Sequence, residues 1–152
     1  MNLSSVNRII ESSLYRRVFS FLGQRKNVIR EKNFGSYKCD LYVQDTDTII
    51  EIKSLLSFEA NAQFPTVFSE RANRQLEQIK ELLSQGHKVC YMFVSMYSGV
   101  KTIRINDQQE EYYNLLCDCM TLGMKVYAFS LGMREEVPYV KQRVDIITDM
   151  KA

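Results

Sequence analysis

Asp40, Glu51 and Lys53 are the residues in this chain best placed to do chemistry together. Tyr37 to Val43 alternates in polarity, Thr48 to Lys53 is rich in isoleucine, and Asp45-Thr46-Asp47 between them reads as a hairpin turn. Alternate side chains on a strand share a face, so Lys38, Asp40 and Tyr42 are expected to point one way and Cys39, Leu41 and Val43 the other. On the next strand Ile49, Glu51 and Lys53 share a face, with Ile50 and Ile52 opposite. Across the hairpin Asp40 and Glu51 become neighbours. Two carboxylates and an ammonium on an otherwise apolar strand pair are costly unless paired or bound to a cation. Two adjacent carboxylates offer hard oxygens suited to Mg²⁺ or Mn²⁺. Such a cation can polarise a phosphoryl oxygen, and Lys53 can meet the charge that develops on phosphorus. The alternative for the same three residues is an edge-strand salt bridge.

Two helices extend this group. Glu11, Leu14 and Val18 fall at i, i+3 and i+7, so Glu11 shares a stripe with apolar residues and is a candidate third metal ligand; otherwise it bends to solvent or pairs with an arginine. On a second helix Arg71, Arg74, Gln75 and Gln78 cluster on one flank. Arginines near a helix N-terminus suit phosphate. The alternative is a solvated flank that pairs Arg74 with Glu70 or Glu77.

The elements that must position these residues follow from periodicity. A helix is expected over 5–22, capped by Ser4 or Ser5 and ended by Gly23. Strands are expected at Val28 to Asn33, Tyr37 to Val43 and Thr48 to Lys53, then a long irregular stretch over 54–68. A helix from Glu70 to Ser84 carries an apolar stripe of Ala72, Leu76, Ile79 and Leu83. An apolar strand follows at Lys88 to Met96, then a helix capped by Asp107 and reaching Thr121, then a strand from Met124 to Leu131. The tail after Gly132 stays ambiguous. Strands that are nearly all apolar, joined by helices, imply an α/β fold with a central sheet covered on both faces. Phe64, Phe68, Tyr91 and Phe93 read as core. His87 has no partner at triad spacing.

The chain has 152 residues, 45% of them hydrophobic and 25% charged, which fits one globular domain spanning 1–152. No apolar run approaches the roughly 20 residues of a membrane-spanning helix. The start, MNLSSVNRII, lacks the pattern of a secretory signal, so a cytoplasmic protein with no membrane partner is expected. Cys39, Cys90, Cys117 and Cys119 form no CxxC pair and no zinc spacing with His87, and read as free thiols. The net charge is +2, but residues 1–38 carry eight basic and two acidic side chains, a local +6 that leaves −4 for the rest. A basic third of that kind suits phosphate, or is a solvated surface.

Taken in order, these segments resemble the nuclease domain of the sugar fermentation stimulation protein family, from about Asn7 to Leu131. Asn7-Arg8-Ile9-Ile10-Glu11 resembles the family's opening helix. Arg30-Glu31 through Lys38-Cys39-Asp40-Leu41 resembles its "REVRYG…SRIDFLL" strand pair, and Ile50-Glu51-Ile52-Lys53 its "VEVK". Phe64-Pro65 through Ser69-Glu70-Arg71 resembles "FPDAVTERG", Gly86-His87 the start of its next strand, and Asp107 to Leu116 its "DPEYAELL" helix. The resemblance implies a restriction-endonuclease-like αβββαβ core, in which a mixed central sheet is flanked by helices. It implies a PD-(D/E)XK nuclease that uses Mg²⁺ or Mn²⁺ on DNA, or on RNA. Asp40, Glu51 and Lys53 become its catalytic set, Glu11 a helper ligand and Arg71 a substrate contact. Lys38 stands where the family has the Arg of "SRID", and with Arg71 and Arg74 makes the expected nucleic-acid contacts. Thr66 and Val67 replace Asp-Ala, Ala72 replaces Gly and Gln75 replaces His. The family's N-terminal OB-fold domain has no counterpart before Asn7, so a homodimer or a partner protein is expected to supply the missing grip. A non-catalytic DNA-binding or regulatory domain on the same fold is the alternative.

Overall fold

The computed structural model describes residues 3–148. Helix α1 (Leu3–Ser13) opens the chain, and a 3-10 segment, Arg17–Leu22, follows it. Strands β1 (Val28–Arg30), β2 (Asn33–Phe34), β3 (Tyr37–Lys38) and β4 (Leu41–Val43) come next, then β5 (Thr48–Leu55) and β6 (Asn61–Phe64). Helix α2 (Glu70–Ser84) leads to β7 (Lys88–Ser95) and β8 (Thr102–Ile105), and helix α3 (Glu110–Thr121) to β9 (Lys125–Arg134) and β10 (Val137–Ile147).

Eight strands form one mixed sheet in the order β1-β4-β5-β7-β9-β10-β8-β6. The centre is parallel: Glu51 pairs with Tyr91 and Met92 with Tyr127. Side chains in the central strands alternate between two cores. Ile49, Leu55, Val89, Tyr91 and Phe93 join α2 and α3. Ile50, Ile52, Cys90, Met92 and Val94 join α1 and the 3-10 segment. The stripe read on α2 lies on the first core, with Leu76 and Ile79 fully buried. Each such side chain contributes about 1.5–3 kcal/mol by leaving water. Ser69 caps α2 by accepting from the Ala72 amide, and Gly86, at φ 97, lets the chain turn into β7.

Several elements differ from expectation. The first helix stops at Ser13 instead of running to 22. Arg16 donates to the Val140 carbonyl across the fold, and the chain re-enters as a 3-10 turn so that Phe19 packs on Phe129 at 4.9 Å between ring centroids. Val18 therefore does not continue the Glu11–Leu14 stripe. Ser4 and Ser5 lie inside α1, which starts at Leu3. The 54–68 stretch contains β6, whose four residues pair in parallel with β8. Asp107 caps nothing: Asn106 accepts from the Gln108 amide, and α3 begins at Glu110. The ambiguous tail is β10, antiparallel to β9 and parallel to β8 at its far end. β6 is an edge strand that stayed hidden because its pairing partner, β8, lies far away in sequence. Phe68, read as core, is 64% exposed.

Candidate functional site

β1 to β4 are one long hairpin with a fault in its middle. The pairs Val28–Val43 and Arg30–Leu41 keep the same register as Asn33–Lys38 and Phe34–Tyr37. Between them Glu31 takes φ 50 and donates its amide to the Asp40 carbonyl. This left-handed residue turns the hairpin tip out of the sheet. The tip then lies on α2, where Gln78 donates to Ser36 at 2.8 Å. The expected alternation slips at Asp40 as a result. Tyr37, Cys39 and Tyr42 enter the α2-side core, while Leu41 and Val43 enter the α1-side core.

That fault builds the site. β4 pairs with β5 from Val43–Thr48 to Leu41–Ile50, and one further step would set Asp40 opposite Glu51. The strand peels away at that step, leaving the Ile52 amide without a strand partner. Asp40 Oδ2 accepts it at 2.6 Å, and Asp40 Oδ1 accepts from Asn7 of α1 at 3.0 Å. Asp40 is thus fixed at the seam between the two cores. Glu51 and Lys53 point to the α2 side. Glu51 is only 3% exposed. Tyr37 donates its hydroxyl to Glu51 Oε1, and Lys53 Nζ lies 3.2 Å from Glu51 Oε2. Lys53 also donates to the Gln75 side-chain oxygen.

Burial, helped by the charge of Asp40, pushes the Glu51 carboxyl up to about 7, against the pull of Lys53 and the two hydrogen bonds. Tyr37 is pushed well up by burial and by Glu51, so it stays protonated and remains a donor. Beneath Glu51 the Tyr91 and Tyr112 hydroxyls are 2.9 Å apart, both pushed up by burial. Cys39, beside the site, is pushed up to about 11 and is no nucleophile.

Asp40, Glu51 and Lys53 therefore come together. Glu11 lies one turn along α1 from Asn7, its carboxylate held by Arg30. Among the described residues no three His, Cys, Asp or Glu side chains are grouped to hold a metal. Arg71 is exposed and has no ion-pair or hydrogen-bond partner among the described residues, in the first turn of α2 and one turn before Gln75. Arg74 pairs with Glu70 at the surface. Lys38 is exposed on β3. Asn7 and Tyr37 were missed as site members, and Gln75 was read only as part of the α2 flank, not as a partner of Lys53. Gln75 sits on the flank that holds Arg71, and Tyr37 follows the hairpin turn; neither carries a charge that would single it out. Two clefts, of about 340 and 590 Å³, are not lined by Asp40, Glu51 or Lys53, although Tyr37 lines the smaller one. Among the described residues no helix is long and apolar enough to cross a membrane.

The fold and site define a mixed α/β domain with a large helix-flanked sheet and a buried carboxylate–lysine pair where two strands separate. The family model "Sugar fermentation stimulation protein RE domain" matches residues 4–137, and the chain belongs to that family. It is 25% identical over 145 residues to the sugar fermentation stimulation protein homolog of Caldanaerobacter subterraneus, covering 93% of this chain and 63% of that one. With the Shewanella pealeana homolog it shares 27% over 137 residues, covering 86% and 58%. The chain thus spans about three fifths of these curated relatives. The structure of Pyrococcus furiosus SfsA in complex with Ca²⁺ superposes with a TM-score of 0.81 at 17% identity, covering 95% of this chain and 65% of that one, and shares its fold.

Proposed function

We propose that this chain is a PD-(D/E)XK-type nuclease that uses Mg²⁺ or Mn²⁺ to cleave phosphodiester bonds of DNA. The observation that carries this is Glu51: a buried carboxylate, raised in pKa by its burial, beside Asp40 and an ammonium, where β4 leaves β5. A carboxylate offers about four lone-pair sites. Asp40 and Glu51 each use one on each oxygen, which leaves sites for a hard cation. Mg²⁺ is commonly held by one or two carboxylates with waters and substrate phosphate, so two ligands from the chain fit it. The Ca²⁺ complex of the Pyrococcus protein is consistent with a divalent cation in this fold.

When bound, such a cation supplies positive charge to a phosphoryl oxygen and acidifies water. The chain's own residues do the rest. Tyr37 holds Glu51 in one orientation. Lys53 has three N–H donors, of which Glu51 and Gln75 engage two. The third is left for a phosphoryl oxygen as its charge develops. Arg71, one turn before Gln75, would hold an adjacent phosphate and Lys38 would extend the basic rim, with Arg74 joining it on release from Glu70. Four free cysteines suit a reducing cytoplasm.

Cleavage of supercoiled, linear and single-stranded DNA with Mg²⁺, with Mn²⁺ and with EDTA tests the proposal. Metal-dependent cleavage that falls at least about a hundredfold in Asp40→Asn and in Lys53→Ala is expected, as for loss of a main electrostatic group. Salt-sensitive binding with no cleavage under any metal would instead support a regulatory DNA-binding domain.

A further inference from the structure

Four of the ten exposed large apolar side chains among the described residues lie in two short loops beside this site. Leu56 and Phe58 follow the C-terminal end of β5, and Val67 and Phe68 precede α2. Phe58 is 82% exposed and Phe68 64%, so both rings largely face solvent. The first loop leaves the C-terminal end of β5, and the second leads from β6 into α2. Leu56 comes three residues after Lys53, and Phe68 three before Arg71, whose helix delivers Gln75 to Lys53. In parallel α/β sheets ligands bind outside this end of the strands. The Phe58 ring is braced edge-on by Tyr97, with centroids 6.1 Å apart at 67°. Glu59 is exposed beside Phe58 and Glu70 pairs with Arg74, so the basic side chain these loops leave for a phosphate is Arg71.

Resting on the nuclease reading of the same site, we propose that Phe58 and Phe68 form a stacking shelf for unpaired bases, so that the substrate is a single strand or an open end and not intact duplex. A duplex keeps its base faces stacked inside and shows a protein only phosphates and groove edges. Isolated aromatic rings find no π-face there. An unpaired segment presents both what the rings need and what Arg71 and Lys53 need: base faces and phosphates at alternating positions along one chain. Base–aromatic stacking is sequence-tolerant, so the shelf selects strand state and not sequence.

Fluorescence anisotropy of labelled oligo(dT), oligo(U) and a blunt DNA duplex tests the shelf, on the full chain in EDTA. Phe68→Ala and Phe58→Ala should each weaken binding of the single strands roughly five- to 150-fold, the range that one lost stacking contact predicts. Phe68→Trp should restore it, and duplex affinity should change less than about twofold. Loss shared by oligo(dT) and oligo(U) supports a shelf that reads base faces; loss on one alone supports it and names the sugar that the strand carries. Unchanged single-strand binding, or equal loss on duplex, overturns it. A fall in oligomeric state by sedimentation in Phe58→Ala or Phe68→Ala also overturns it, because the loops would then cover a second copy of the chain. The binding measurement needs no metal. Wild-type cleavage with phenylalanine-independent binding removes the shelf alone, while phenylalanine-dependent binding without cleavage removes the nuclease reading alone.

Discussion

Replacing Glu51 by glutamine should make the metal-free protein more stable at pH 8 and slightly less stable, by about 1 kcal/mol, at pH 4.5. Glu51 has an ordinary value of 4.5 and titrates at about 7 in the fold, chiefly because burial penalises its charge. The folded state therefore holds a proton that the unfolded chain releases, between those two values. Stability from this group is complete below about 4.5, falls as pH rises, and is gone above about 7. At 1.36 kcal/mol for each pH unit, the loss approaches about 3 kcal/mol. Glutamine stays neutral throughout and still accepts a hydrogen bond through its single carbonyl oxygen. Losing the second acceptor costs about 1 kcal/mol. A net gain of about 1–3 kcal/mol at pH 8 follows, and about 2–4 °C in Tm per kcal/mol for a chain of this size. Thermal melts of wild type and Glu51→Gln in EDTA, from pH 4.5 to 8, read it directly. With Mg²⁺ present the wild type should recover stability and Glu51→Gln should not. A variant equally or more destabilised at pH 8 than at pH 4.5 would refute the assignment of Glu51 as a carboxylate strained by burial.

Tyr37→Phe removes the hydroxyl that favours ionised Glu51, so the acid limb of the cleavage pH profile should move to higher pH; an unmoved limb would mean Tyr37 does not act on Glu51. Hydrogen bonds to charged groups contribute about 1.5–3 kcal/mol, so its cleavage below pH 7 should fall about tenfold or more. Leu76→Ala, at a fully buried position of α2, should cost about 2–5 kcal/mol by denaturant unfolding, and a loss below 1 kcal/mol would place Leu76 outside the core.

Much of the site was legible because strands announce themselves by period. The isoleucines at 49, 50 and 52 mark β5 as covered on both faces, which makes the charges of Glu51 and Lys53 conspicuous. The stripe on α2 was equally plain. What stayed hidden depends on contacts distant in sequence. Glu31 at positive φ turns the hairpin, and no local pattern reports that an acidic residue will adopt it. The phase slip at Asp40 follows, and with it the partnership of Asp40 with Asn7 and the Ile52 amide. Phe68 looks like core by type, and only the end of β6 and the start of α2 put it at the surface. β6 and β8 are four-residue strands that owe their shape to pairing, which single-strand propensity does not encode.

The central claim is that Asp40 and Glu51 share one divalent cation. Diffraction from crystals soaked in Mn²⁺, collected at the manganese edge, tests it most directly. The account predicts one anomalous peak within about 2.0–2.3 Å of an oxygen of each carboxylate, the range of hard oxygen ligation, and its loss in Glu51→Gln. A peak elsewhere with none between these residues, at a pH where Glu51 is ionised, would contradict it.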